Sequence, residues 1–220
     1  MLHDSVSYKN ARLDLFPFIE NPKKVLDVGC NIGTTGLALK NKFGHHVHIE
    51  GLDYNEKSIK EAENKLNVAQ AIDLNNLTNF EEFLQNKTFD YIIFADVLEH
   101  ILHPQQIVDI SKNHLTTNGK IIVSIPNYGF YLSIFYLLLH KWPHNERGIF
   151  DKTHINIYVK GNLNSLKPNG CELKILLRKY RLFESRGSKY DRFLKLINYI
   201  PWLRNFFTFQ FILEIKKIKL

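Results

Sequence analysis

From Lys23 onward, short apolar runs rich in Val and Ile alternate with stretches whose apolar residues recur at helical spacing. Uninterrupted apolar runs mark strands covered on both faces, and their alternation with helices is the layout of a parallel sheet. Lys24–Val28, His46–Leu52, Val68–Ile72, Tyr91–Ala95 and Lys120–Ile125 read as strands. Thr34–Phe43, Glu56–Leu66, Phe80–Gln85 and Pro104–Leu115 read as the helices between them, and Asn118-Gly119 as the turn before the fifth strand. Ahead of this unit, Tyr8–Ile19 predicts a helix on the sheet edge. Past Pro126 the alternation stops, and an aromatic, His-rich stretch over 128–154 reads as a lid. Two further strands are predicted at Glu172–Tyr180 and Phe206–Lys216, with an amphipathic segment, Asp191–Trp202, between them. The gap from Trp202 to the last strand is too short for a crossover, so that strand is expected to run antiparallel. The pattern is that of one α/β domain over 1–220: a doubly wound, seven-stranded, mostly parallel sheet with a core at 23–127, a lid at 128–154 and C-terminal elements at 155–220.

Composition narrows the class. With 45% hydrophobic and 23% charged residues among 220, the chain has the usage of a globular domain, which excludes disordered and fibrous proteins. Cys30 and Cys171 are isolated, forming neither a disulfide framework nor a zinc-ribbon spacing. The charged opening stretch lacks the apolar core of a signal peptide, so a cytoplasmic location is expected. The longest apolar run, Tyr128–Leu139, has 12 residues, against the roughly 20 a spanning helix needs. A net charge of +7 favours an acidic partner.

The sharpest chemical signal is Val25-Leu26-Asp27-Val28-Gly29-Cys30-Asn31-Ile32-Gly33, a buried strand that carries an acid and runs into a glycine-containing turn before a helix. Glycine there permits positive φ and close approach of a nucleotide to the backbone. Asp53 ends the second strand 20 residues after Gly33, where a carboxylate is placed to take ribose hydroxyls. A dinucleotide fingerprint starting at Gly29 would need glycine at Asn31 and Thr34, and neither is present.

The turn resembles the D-x-G-x-G-x-G loop of class I S-adenosylmethionine-dependent methyltransferases, through Asp27, Gly29 and Gly33; Asn31 replaces the middle glycine and is the residue that best tolerates a left-handed backbone. The resemblance runs in order from Val25 to Asn127. It includes Phe89–His100 (FDYIIFADVLEH) and Leu115–Lys120 (LTTNGK), which are similar to the ubiquinone-biosynthesis type of small-molecule methyltransferase. It implies a Rossmann-like fold and S-adenosyl-L-methionine as cofactor, leaving S-adenosyl-L-homocysteine. The implied contacts are Asp27, Gly29, Cys30, Asn31, Gly33, Asp53, Tyr54, Asp73, Leu74, Phe94 and Ala95, with Asp27 on the methionine ammonium, Asp53-Tyr54 on ribose and adenine, and Asp73-Leu74 on the adenine edge. Gly148–His154 (GIFDKTH) resembles a segment of polysaccharide-associated methyltransferases and points to a small-molecule or glycan acceptor.

Methyl transfer from a sulfonium needs alignment and water exclusion, and no metal is required. A hydroxyl acceptor gains from a base, for which His100 and His154 are the candidates. Tyr128, Phe130, Tyr131, Phe135, Tyr136 and Trp142 are expected to close over the acceptor. Asp96 and Glu99 read as solvated or structural, and Cys30 as a small turn residue. Lys189, Arg192, Lys195, Arg204 and Lys216–Lys219 leave room for peripheral membrane contact. Two other functions remain open: an RNA methyltransferase, against which stands the lack of an Asn/Asp-Pro-Pro-aromatic run after the fourth strand, and a catalytically inactive cofactor-binding module. The oligomeric state is not written in the sequence.

Overall fold

The computed structural model describes residues 10–180 and 200–218. Seven strands form one sheet: β1 (Lys24–Val28), β2 (His48–Asp53), β3 (Val68–Ala71), β4 (Phe89–Ala95), β5 (Leu115–Pro126), β6 (Cys171–Tyr180) and β7 (Thr208–Lys217). Their order is β3-β2-β1-β4-β5-β7-β6. The first five pair in parallel, and β7 is inserted antiparallel between β5 and β6. The helices are α1 (Thr34–Phe43), α2 (Glu56–Ala62), α3 (Leu77–Leu84), α4 (Pro104–Asn113), α5 (Tyr131–Leu138) and α6 (Pro201–Phe207). The expected doubly wound topology and the reversed last strand are both present.

Side chains alternate across the strands and fill two cores. Leu26, Val28, Ile92, Phe94, Ile121 and Val123 pack on one face of the sheet. Val25, Tyr91, Ile93, Ile122 and Ile212 pack on the other. Each large apolar side chain taken fully out of water contributes about 1.5–3 kcal/mol, so burial on both faces dictates the continuous apolar runs seen in the sequence. Local signals set the helix starts: the Asn55 side chain accepts hydrogen bonds from the Lys57 and Ser58 amides, Asn76 accepts from Asn79, and Pro104 opens α4.

Several boundaries depart from expectation. Asn118-Gly119 falls within the span of β5, in the stretch between Leu115 and Lys120 that lies outside the β4 register, where Gly119 comes close to the Thr116 amide. The N-terminal element is a 3-10 helix, Leu13–Phe18, and it covers a face of the sheet, because Leu15, Phe16 and Ile19 join the core of β1, β4 and β5. Phe206 and Phe207 end α6, and β7 begins at Thr208. The 128–154 stretch forms its own small core, with Phe130, Ile149 and Phe150 buried against Tyr131, Tyr136, Trp142 and Phe209. Phe135 points outward, 53% exposed.

Of the cations expected to face a membrane, Lys189, Arg192, Lys195, Lys219 and most of Asp191–Trp202 lie outside the described residues. Lys216 pairs with Glu172, and the Lys217 ammonium donates to the Leu115 carbonyl, so both are engaged within the protein. Among the described residues no helix is long and apolar enough to cross a membrane.

Candidate functional site

The turn between β1 and α1 is tied to the end of β2. The Gly29 and Cys30 amides donate to the Leu52 carbonyl at 2.7 and 2.9 Å, and the Asn31 amide donates to Asp53 Oδ2 at 2.9 Å. Gly29 (φ +77°) and Gly33 (φ +75°) take the left-handed conformation, and so does Asn31 at φ +49°. Asn31 thus supplies the backbone geometry of the glycine it replaces, and its Oδ1 accepts from the Ile32 amide at 2.7 Å. At Gly29 a side chain would also collide with Val97.

Two carboxylates meet at this turn. Asp27 is 2% exposed, and its Oδ2 has no hydrogen-bond partner among the described residues. Burial, helped by the nearby Asp53 charge and opposed by Arg12, pushes its pKa up to about 7. A buried carboxylate with a free oxygen is costly unless a cationic ligand group completes it, so the site fits an ammonium. Asp53 is likewise raised by burial, against the amides of Asn55, Asn31 and Tyr54. Tyr54, 75% exposed, offers an uncovered ring beside it, and Asp73 lies exposed past β3 with Oδ1 holding the Asn75 amide at 2.9 Å.

Two expected contacts change character. The side chains of Leu74 and Phe94 are buried in the core, Phe94 completely, so neither presents a side chain to a ligand; the pleat of β4 turns Phe94 inward and leaves Ala95 half-buried. Cys30 packs toward Gly51, and burial and the two aspartates push its thiol pKa up, which removes it as a nucleophile.

His100 and His154 are brought together, with ring centroids 4.6 Å apart. His100 Nδ1 lies 3.2 Å from the Thr153 carbonyl and 3.0 Å from Thr153 Oγ1, whose own hydroxyl donates to Asp151 Oδ1. A carbonyl only accepts, so this arrangement places the imidazole proton on Nδ1 and leaves Nε2 with its lone pair. The His154 side chain is 7% exposed, its Nδ1 is 2.7 Å from the Tyr128 hydroxyl, and desolvation with His100 lowers its pKa to about 4. Glu99, expected to be solvated or structural, is 1% exposed; its Oε1 lies 3.8 Å from His154 Nε2, and burial first, then Asp96, raises its pKa. Ligand atoms of Glu99, His100 and His154 all lie within 4.8 Å of one another, a donor set able to hold a divalent cation as well as a proton.

Sequence reading missed Arg12. Its guanidinium grips Asp14 through two 3.0 Å bonds, reaches Asp96 at 2.6 Å and donates to Ser124 Oγ at 2.7 Å. Ser124 and Gln210 in turn donate to Asp96, and Lys179 pairs with Asp14. This network joins the N-terminal arm to the carboxyl ends of β4 and β5. Nothing local marks Arg12, since its partners are spread from residue 14 to residue 124.

Comparison with known proteins agrees with the geometry. Residues 3–169 match the Methyltransferase domain family. The chain is 32% identical over 192 residues to the Ubiquinone biosynthesis O-methyltransferase of Actinobacillus pleuropneumoniae, covering 79% of each protein. It is also 32% identical over 117 residues to that of Pasteurella multocida, where the match spans only 48% of this chain and 47% of the relative's length. A SAM-dependent methyltransferase from Archaeoglobus fulgidus shares the fold, with a TM-score of 0.61 at 19% identity over 94% of this chain and 90% of that one. With the family match spanning well over half its length and the site carrying the matching acids, the chain belongs to the class I S-adenosylmethionine-dependent methyltransferases.

Proposed function

We propose that this methyltransferase acts on a hydroxyl of a small-molecule or glycan acceptor, with His100 as the base. The orphaned, buried Asp27 carboxylate beside Asp53 carries the cofactor half of the reading. In that reading Asp27 holds the methionine ammonium, directly or through water, Asp53 takes the ribose hydroxyls, Tyr54 covers the adenine, and Asp73 meets its edge. When bound, the cofactor supplies a methyl group on a positively charged sulfur, already activated for in-line displacement. The protein therefore has to align an acceptor oxygen, keep water away and receive one proton. His100 suits the last task, because the Asp151–Thr153 pair fixes its tautomer with Nε2 free. His154 stays neutral above its lowered pKa and, anchored by Tyr128, serves as the wall against which His100 is set. The relatives from Actinobacillus and Pasteurella are named as O-methyltransferases, which supports an oxygen acceptor.

The test has two parts. S-adenosylhomocysteine should bind the purified chain in calorimetry. Labelled S-adenosylmethionine, offered with a panel of hydroxylated sugars and phenols, should be turned over, and His100→Ala should lower kcat by about 10²-fold or more. Absence of binding would overturn the whole reading. Cofactor binding without turnover of any acceptor would leave a binding module in place of an enzyme.

A further inference from the structure

Two arginines stand apart from the ion-pair networks. Arg178 near the end of β6 and Arg204 in α6 line a surface cavity of about 270 Å³ together with Leu176, Leu177 and Tyr180. Arg178 Nη1 and Arg204 Nε are buried atoms that make no hydrogen bond among the described residues. No carboxylate among the described residues pairs with either guanidinium, and Arg178 is disfavoured first by burial and then by the nearby Arg204 charge. The Arg178 guanidinium lies over the face of Phe211, 5.4 Å from the ring centroid.

The neighbouring cation behaves differently. Lys179, one residue on and hence on the opposite face of β6, is neutralised by Asp14. The positive charge at Arg178 and Arg204 is therefore a local property of that cavity. Two like charges held together with unsatisfied N–H groups are stabilised when an anion comes between them, and the planar guanidinium fork matches phosphate oxygens. Carboxylates carry one charge, whereas a phosphate monoester or diphosphate carries two or more and bridges both forks.

The position is also telling. β6 and β7 pair Tyr180 with Thr208 and Lys179 with Gln210, while Pro126 at the end of β5 pairs with the same Gln210. The arginines therefore lie toward the same end of the sheet as the carboxyl end of β5, the end that carries the site, with β7 between β6 and that strand. We infer that Arg178 and Arg204 form a binding site for a phosphate or diphosphate group carried by the methyl acceptor. The acceptor role rests on the function proposed above; the anion site itself does not.

Calorimetry of the full chain with inorganic pyrophosphate at low ionic strength tests it. One saturable site is expected, weakened at least about tenfold in Arg178→Gln and in Arg204→Gln. Arg178→Lys and Arg204→Lys keep the charge but lose the fork, and should show an intermediate loss even if the Gln variants fold poorly. Affinity for S-adenosylhomocysteine should be unchanged throughout. A second arm separates the sources of phosphate. Sedimentation with phosphatidic acid vesicles, but not phosphatidylcholine vesicles, that is lost in the arginine variants and competed by pyrophosphate assigns the site to a lipid-borne phosphate. No sedimentation, with pyrophosphate binding intact, assigns it to a soluble phosphorylated compound. No saturable binding of pyrophosphate, or binding indifferent to both arginines, overturns the inference. If homocysteine-cofactor binding fails while pyrophosphate binds, the function falls and the anion site stands.

Discussion

Replacing Asp27 by Asn separates stability from function in opposite directions. The carboxyl's pKa rises from 3.8 to about 7 on folding, chiefly through burial, and at 1.36 kcal/mol per unit this corresponds to about 4 kcal/mol. The sign follows from proton counts. Between those two values the folded chain holds a proton on Asp27 that the unfolded chain has released, so the native state is progressively penalised as pH rises from about 4 to about 7. Above that the whole penalty is present; below the lower value it is absent. Asn is of similar size and never ionises, though its amide needs hydrogen bonds of its own. Urea unfolding of the ligand-free protein should therefore show Asp27→Asn more stable by about 2–4 kcal/mol at pH 8, with the difference shrinking toward zero by pH 4 to 5. In calorimetry the same variant should bind S-adenosylhomocysteine at least about 10²-fold more weakly, since the ammonium loses its charged partner. Wild-type binding should weaken as pH falls below 7 and release a proton near neutrality. A variant less stable than wild type at pH 8, or one that binds the product equally well, would refute the argument that this carboxylate is kept buried for a ligand.

Gly29→Ala should destabilise by about 1–3 kcal/mol in denaturant melts and abolish cofactor binding, because it adds a side chain at φ +77° against Val97. Arg12→Gln should cost about 1–3 kcal/mol, leaving Asp14 and Asp96 without their guanidinium, and urea midpoints would show it. In wild type, Asp14 is held down at about 2, so its stabilisation is present above the ordinary carboxylate range and lost as pH falls through that value; the Arg12 variant should lose this acid tolerance earlier. Thr153→Val should lower kcat with little change in KM, because it removes the hydroxyl that joins His100 Nδ1 to Asp151 while the carbonyl of residue 153 still accepts from Nδ1; Thr153→Ser should restore the rate.

Much of the scaffold was legible because its signals are local. α1 was bounded correctly from its helix-forming composition, and β1 from its apolar run. Local reading failed where pairing overrode it. Asn118-Gly119 reads as lying ahead of the fifth strand, yet β5 begins at Leu115, whose pairing with Phe89 starts the strand before that turn-forming pair. Leu74 and Phe94 sit next to site residues in sequence, but their side chains belong to the core; on β4 the pleat sends Phe94 and Ala95 to opposite faces, and Leu74, in the turn after β3, packs inward beside the exposed Asp73.

The sequence by itself determined the alternation that makes the sheet, the positive-φ turn and the acids at the ends of the first two strands, since each depends on residues within a few positions of one another. Only the tertiary structure decided what those acids feel and whom the cations meet. Burial raises Asp27, the ring contact of His100 with His154 crosses 54 residues, and Arg12 finds Asp96 across 84. Electrostatic energy depends on distance and on exclusion of water, and neither is set until the strands have paired.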